Sequence, residues 1–273
     1  HTPIQAPEEL SGKYREKIRE QGVAEGGPRS DWDVAVDNTG QFKTVQNNAV
    51  YAAMVESVDT NLGRLVERLA ELGLTENTVI VLTSDHGGLS SRGLESKREL
   101  ATSNLPYRHG KGWLYDGGIR VPMIVKWPAG VKAGTVSRVQ VTGTDHFPSL
   151  LELAGLPLQP DHHRDGRSYL PALQGAEYVR DPMFFHSALG RPAQTGDTRS
   201  SAVIHGDWKL IQWYSLEDES IERTELFNLE QDPGEKEDRY AADTDKAREL
   251  EALLNDWKKS VNARLGQFKR GGV

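Results

Sequence analysis

The chain has 273 residues, 33 basic against 40 acidic for a net charge of −7, and a hydrophobic fraction of 37% with six Trp. That length fits one large α/β domain, or one domain with a smaller appendage, and the apolar content suffices for a core. The acidic balance argues against general affinity for nucleic acid or anionic membrane, no apolar run approaches membrane-spanning length, and the lack of cysteine excludes disulfides, thiolate metal sites and a cysteine nucleophile within these residues. An anionic small substrate stays open, but a local cluster of cations must meet it.

From His1 to about Gly40, Pro, Gly and charge predominate around one helical candidate, Glu8 to Glu20, which predicts an irregular surface segment at the rim of a site. The chain opens on His1-Thr2-Pro3 without an initiator Met, so it reads as a piece of something longer. Between about Gln46 and Leu72, the residues Met54, Val58, Leu62, Leu65, Leu69 and Leu72 recur at spacings of three and four. This predicts a long amphipathic helix stopped by Gly73. Val79 to Leu82 is continuously apolar, as a parallel strand buried on both faces would be, and it ends at Ser84-Asp85-His86-Gly87-Gly88. Asp85 and His86 are thereby expected at the carboxyl end of a central strand, where open α/β sheets bind ligands.

An aspartate oxygen and an adjacent imidazole nitrogen can together give two ligands to a divalent cation. Lys111, between Gly110 and Gly112, can bring its ammonium and its backbone close to an anion. Alone, the first pair is more often a capped turn and the second a solvated loop lysine. Their weight comes from occurring together.

Ser90 to Ser103 reads as a loop and Ile119 to Trp127 as a second strand whose start Pro122 leaves unpaired. Asp145 to Ala154 reads as a short helix with Phe147, Leu150, Leu151 and Ala154 on one face. The Pro-rich stretch from Pro157 to Gly175 marks a boundary, giving expected domains 1–175 and 176–273. Beyond it the pattern becomes antiparallel β. Ser201 to His205 and Trp208 to Tyr214 flank Gly206-Asp207, a two-residue turn of type II′ character, and Glu225 to Leu229 is a further strand candidate. A closing helix is expected from about Thr244 to Leu265. His162 and His163 read as solvated, and Trp127, Trp208, Trp213 and Trp257 read as packing residues. His186 reads as a strand residue, either packed or facing the pocket. No histidine spacing suggests zinc.

Ser84-Asp85-His86-Gly87 and the block Gly110-Lys111-Gly112-Trp113-Leu114-Tyr115-Asp116-Gly117-Gly118-Ile119-Arg120-Val121-Pro122 closely resemble the C-terminal half of the formylglycine-dependent sulfatases, members of the alkaline-phosphatase-like superfamily. His1-Thr2-Pro3, Asp145 to Gly155, Asp165 to Pro171, Trp208 to Ile211 and Glu225 to Glu235 resemble further segments of that family in the same order.

The resemblance implies an α/β fold: the C-terminal part of an alkaline-phosphatase-like α/β/α sandwich, followed by a small antiparallel sheet with a closing C-terminal helix. It implies hydrolysis of a carbohydrate or aryl sulfate ester. Asp85 and His86 would be metal ligands, His1 and Lys111 catalytic groups at the sulfate and leaving oxygen, and Arg108 and His109 substrate-binding groups. The implied metal is calcium, with magnesium as the alternative. Many relatives carry Asn where this chain has His86, and calcium prefers oxygen over imidazole. The family's Cys/Ser-x-Pro-x-Arg motif, source of the formylglycine, is not among these residues. The expectation is therefore an N-terminal half of the same enzyme as partner, inactivity of the chain in isolation, and a periplasmic or secreted location. The rival readings are a phosphodiesterase or phosphonate hydrolase of the same superfamily, and a non-catalytic fragment with a structural or binding role.

Overall fold

The computed structural model describes residues 3–26 and 33–266. In chain order the elements are α1 (Glu8–Glu20), β1 (Val34–Val36), β2 (Gln41–Lys43), α2 (Ala49–Glu71), β3 (Ile80–Thr83), β4 (Ser91–Arg92), α3 (Asp116–Ile119), β5 (Met123–Lys126), α4 (His146–Leu153), α5 (Leu170–Leu173), β6 (Met183–Ser187), β7 (Ser200–His205), β8 (Trp208–Tyr214), β9 (Ile221–Asn228) and α6 (Thr244–Ser260). Three sheets form among the described residues, in strand orders β1-β2-β4, β3-β5 and β6-β7-β8-β9.

The last sheet is the core. Its strands form an antiparallel meander, and alternation along each strand sends side chains to two different layers. Val203, Leu210 and Leu226 face α6, where Ala247, Leu250 and Leu254 are buried. Ala202, Ile204, Ile211, Trp213 and Phe227 face the opposite way, onto Trp113, Leu114 and Tyr115. The β7-β8 turn has Gly206 at φ 58°, while Asp207 keeps a negative φ, as a type II′ turn requires. Burying an aromatic such as Trp113 or Tyr115 removes on the order of 150–250 Å² from water, about 4–6 kcal/mol at ~25 cal/mol per Å² as an upper bound. The antiparallel sheet is therefore the anvil on which the Lys111 segment is fixed.

The other half of the chain is built differently. Asn48 caps α2 by accepting from the Tyr51 N–H at 3.0 Å, and α1 lies against α2. The buried residues of α2 are Ala49 and Ala53, near its start, whereas Val58, Leu65 and Leu72 of the apolar stripe are more than half exposed. β3 pairs with β5 in antiparallel register, Val81 opposite Val125 and Leu82 opposite Ile124, and Ile124 is 61% exposed.

Four expectations are corrected here. The Val79 to Leu82 run was expected as a parallel strand buried on both faces, yet its partner among the described residues is antiparallel and its side chains are only half buried. A continuous apolar run registers how much cover a strand is suited to, and here the described residues supply only part of that cover. Ile119 to Trp127 begins later than expected, because Asp116–Ile119 forms a helical turn and Pro122 delays pairing until Met123. The closing helix ends at Ser260 rather than near Leu265. β1 and β2, inside or beside the stretch expected to be irregular, are short additional strands.

Candidate active site

Two glycines set the geometry around Lys111. A Cβ on Gly87 would lie 1.8 Å from the Gly117 carbonyl oxygen, and one on Gly110 would lie 2.3 Å from the Gly88 oxygen. Backbones at such distances leave room for glycine alone. The Gly87 N–H donates to the Gly118 carbonyl at 2.8 Å, and the Lys111 N–H donates to the Gly88 carbonyl at 3.0 Å. The segment after β3 is thus stitched to the Lys111 loop, which in turn rests on Trp113 and Tyr115 in the core.

The side-chain amide of Asn104 sits at the centre of this contact. Its nitrogen lies 3.0 Å from the Gly88 oxygen, 2.9 Å from Ser90 Oγ, 3.1 Å from the His109 oxygen and 3.0 Å from the Gly117 oxygen. Sequence reading passed over Asn104 because it lies in a polar loop without periodicity. What marks it is the set of carbonyls turned inward, a signal visible only once the chain is folded.

Asp85, His86 and Lys111 all line one cleft of about 1040 Å³, together with Tyr14, Lys17, Asn48, Arg98 and Arg120. The His86 Nδ1 lies 2.9 Å from the Gly87 carbonyl, which can only accept, so Nδ1 carries the hydrogen. Nε2 is then turned toward Asp85 Oδ2 at 3.2 Å. The Asp85 side chain is 83% exposed and the His86 side chain 36%. An imidazole nitrogen and a carboxylate oxygen facing each other at the mouth of a cleft are two donors that a cation can share. Among the described residues no cluster of three or more His, Asp or Glu side chains could hold a metal. The pair fits as part of a divalent-cation site that takes further oxygen donors from elsewhere, since calcium uses six to eight.

Burial holds the Lys111 ammonium below the usual lysine range; Arg191 and Arg98 push it in the same direction, against Asp85. Arg108 and His109 lie behind the Lys111 loop, outside the cleft lining. Arg108 bonds to the Glu235 carbonyl at 3.1 Å and to Asp37 Oδ2 at 3.3 Å, and lies over the Tyr115 ring. The His109 ring is stacked on Trp113 at 4.1 Å, with Nε2 2.7 Å from Thr39 Oγ1 and 3.3 Å from Asp37 Oδ2. Burial pushes the His109 pKa down, which keeps the ring neutral, and Asp37 is held ionised by the hydrogen bonds from His109 and Thr39 despite its own partial burial. His1 lies outside the described residues.

His186 is committed to Ser201 Oγ at 2.8 Å and the Arg264 carbonyl at 3.0 Å; Trp213 is buried against Trp113 and Tyr115, while Trp208 and Trp257 pack in the other layer, with α6.

Comparison with known proteins adds the family. Residues 1–156 match the Sulfatase family model, and residues 108–262 match the C-terminal model of N-sulphoglucosamine sulphohydrolase. A sulfatase of Formosa agariphila is 31% identical over 263 residues, covering 88% of this chain and 45% of the relative. The N-acetylgalactosamine-6-O-sulfatase of Bacteroides thetaiotaomicron is 29% identical over 218 residues, 75% of this chain and 41% of the relative. Among solved structures, Ps i-CgsB in complex with k-i-k-neocarrahexaose aligns with a TM-score of 0.69 at 26% identity, over 94% of this chain and 47% of that one. BT4656 in complex with its substrate D-glucosamine-2-N,6-O-disulfate aligns with a TM-score of 0.61 at 27% identity, over 77% of this chain and 40% of that one. The chain thus spans less than half the length of these relatives. With the match extending over more than half of its residues and the alkaline-phosphatase-like α/β architecture in common, the chain belongs to the sulfatase family.

Proposed function

We propose that the chain supplies the cation-binding and sulfate-facing part of a sulfuric ester hydrolase acting on a sulfated carbohydrate or aryl sulfate. The observation that carries this reading is the convergence of Asp85, His86 and Lys111 on one cleft, from two segments locked together by glycine contacts. When bound, a formylglycine from outside these residues and a divalent cation, calcium or magnesium, would provide the nucleophile and the electrophilic pull on the sulfate. Asp85 and His86 would hold the cation. Lys111 would bind a sulfate oxygen and neutralise charge that grows on the leaving oxygen as the S–O bond breaks. His1 would deliver the proton to that oxygen. Arg108 and His109 would act from behind, fixing the Lys111 loop through Asp37, Tyr115 and Trp113 rather than by touching the substrate.

The same reading accounts for the exposed apolar faces. Val58, Leu65 and Leu72 on α2, Ile124 on β5, and Phe147 and Leu150 on α4 are each at least 45% exposed. Large apolar side chains left exposed on several elements are suited to burial in an interface. We propose that it is covered by the remaining α/β part of the enzyme, that 1–175 belongs to the catalytic domain and 176–273 to the C-terminal subdomain, and that the 273 residues alone do not turn over substrate. A periplasmic or secreted location is proposed by resemblance; no described helix is long and apolar enough to cross a membrane.

A phosphodiesterase or phosphonate hydrolase of the same superfamily is the rival enzyme reading, since it would use a similar metal site. Initial rates of the intact protein on 4-nitrophenyl sulfate and bis(4-nitrophenyl) phosphate separate the two. At least a hundredfold preference for the sulfate ester is expected; a preference for the phosphate ester would overturn the sulfatase assignment.

A further inference from the structure

The net charge of −7 leaves open how an anionic substrate is met. The fold answers with a loop that sequence reading assigned no role, residues 191–197, between β6 and β7. Its shape is fixed by its own backbone. The Arg191 N–H donates to the Asp197 carbonyl at 2.8 Å, and the Arg191 carbonyl accepts from the N–H groups of Gln194, Thr195 and Gly196 at 3.0–3.1 Å. Its position is fixed by the loops it touches. The indole of Trp113 donates to the Thr195 carbonyl at 2.8 Å. A Cβ on Gly112 would lie 2.4 Å from Asp197 Oδ1, and one on Gly93 would lie 2.1 Å from the Pro192 oxygen. Gly112 and Gly196 both take positive φ, +102° and +88°, which glycine accommodates without strain.

Three loops are therefore clamped side by side, and each brings one cation: Arg98 from the loop after β4, Lys111, and Arg191. Arg98 and Lys111 both line the cleft, and Arg191 stands outside its lining, at the start of the loop that abuts Gly112 and Gly93. Among the described residues neither Arg98 nor Arg191 forms an ion pair, although the acidic residues outnumber the basic ones in the chain. Burial pushes the Lys111 pKa down, Arg191 and Arg98 add to that, and Asp85 opposes them. Asp85 offsets part of this repulsion, and an anion that joins the three cations would offset more of it. In the function proposed above, the sulfate ester that is cleaved would take up Lys111 and the cation. Two guanidiniums beyond it offer planar forks suited to a second oxyanion.

We propose that Arg98 and Arg191 form a subsite beside Lys111 for a second anionic group, so that the preferred substrate carries a further sulfate or carboxylate near the ester that is cleaved. This rests on the sulfatase reading for which ester is cut, but not for whether the subsite binds. The test is calorimetric titration of the intact protein with D-glucosamine-2-N,6-O-disulfate, glucosamine 6-O-sulfate and an aryl monosulfate, repeated on Arg98→Gln, Arg191→Gln and Arg191→Lys. The disulfate is expected to bind at least tenfold more tightly than either monosulfate. That ratio should fall toward one in both glutamine variants, and Arg191→Lys should keep more than half of it on a logarithmic scale. Replacing the second sulfate by a uronic carboxylate in the probe shows which oxyanion the subsite prefers, and tighter binding of either anion over the monosulfate supports the proposal. Equal affinity for singly and doubly charged probes, no binding of any of them, or a ratio indifferent to the two glutamine substitutions would overturn it. Hydrolysis of 4-nitrophenyl sulfate by the same preparations reports separately on the sulfatase reading.

Discussion

The ammonium of Lys209 on β8 lies 2.8 Å from Glu235 Oε1, with both side chains fully buried, and its second partner is Asp116, at the start of the turn that follows Lys111. Glu235 also accepts from the Asp116 N–H through its other oxygen at 2.6 Å. One cation thus serves two carboxylates and joins the antiparallel sheet to the segment that carries the cleft.

Removing that cation should be severe. Lys209→Met leaves two buried carboxylates facing each other, a defect worth about 3–5 kcal/mol. In the native protein, burial pushes Glu235 up to about 7, with Asp116 adding to the rise and Lys209 opposing it. A carboxyl raised above its unfolded value stabilises fully below that value, and the benefit is lost as pH rises through the folded pKa. Thermal midpoints of the variant should therefore fall further below the native protein at pH 8 than at pH 5; an equal deficit at both would contradict the ion cluster as described.

Asn104→Leu should loosen the site without touching substrate. The Gly88, His109 and Gly117 carbonyls would lose their shared donor, at a cost of about 1–3 kcal/mol. Chemical denaturation and turnover together check this. A fall in kcat of tenfold or more with a moderate stability loss is expected, whereas unchanged kcat would show that Asn104 does not position the Lys111 loop.

Gly87→Ala should fail for a steric reason. Its new methyl would start 1.8 Å from the Gly117 oxygen, so one of the two segments must shift. The expected penalty is about 1–3 kcal/mol. Affinity for calcium, read by titration of the intact protein, should drop with it because Asp85 and His86 move; native affinity in a destabilised variant would sink this linkage.

The apolar stripe of α2 yields a paired expectation. Leu65→Asp should leave the isolated 273-residue chain within about 0.5 kcal/mol of its original stability, as an exposed substitution does, yet cost the intact protein more than about 1 kcal/mol. Equal small effects in both forms would mean that this face stays open to solvent.

Much of this architecture is legible in the residues. The α1 limits, the β7-β8 hairpin with its Gly206 turn and the buried stripe of α6 follow from local periodicity and turn chemistry, which the short-range contacts of a meander then obey. Val79 to Leu82 misled for the same physical reason: apolar runs report the cover a strand needs, not which chain provides it or in which direction the neighbour runs. The cleft was half legible. Asp85, His86 and Lys111 carry motif spacing, but Asn104 and Arg98 reach the cleft through contacts between loops distant in sequence, and no local pattern announces them. Arg108 and His109 adjoin Lys111 in sequence and still lie outside the cleft lining, engaged by Asp37, Tyr115 and Trp113, and adjacency in sequence carries no sign of that.

The central claim is that Asp85, His86 and Lys111 form the sulfate-facing, cation-holding part of a sulfuric ester hydrolase. Its most direct test is the rate of sulfate release from 4-nitrophenyl sulfate by the intact protein, with and without chelator, alongside Lys111→Ala and Asp85→Ala. The account predicts chelator-sensitive release that falls by about 10²–10³ in Lys111→Ala, a loss on the scale of one electrostatic group at a developing oxyanion, and by a similar factor in Asp85→Ala. Release that persists undiminished in both variants, or that ignores the chelator, would contradict it.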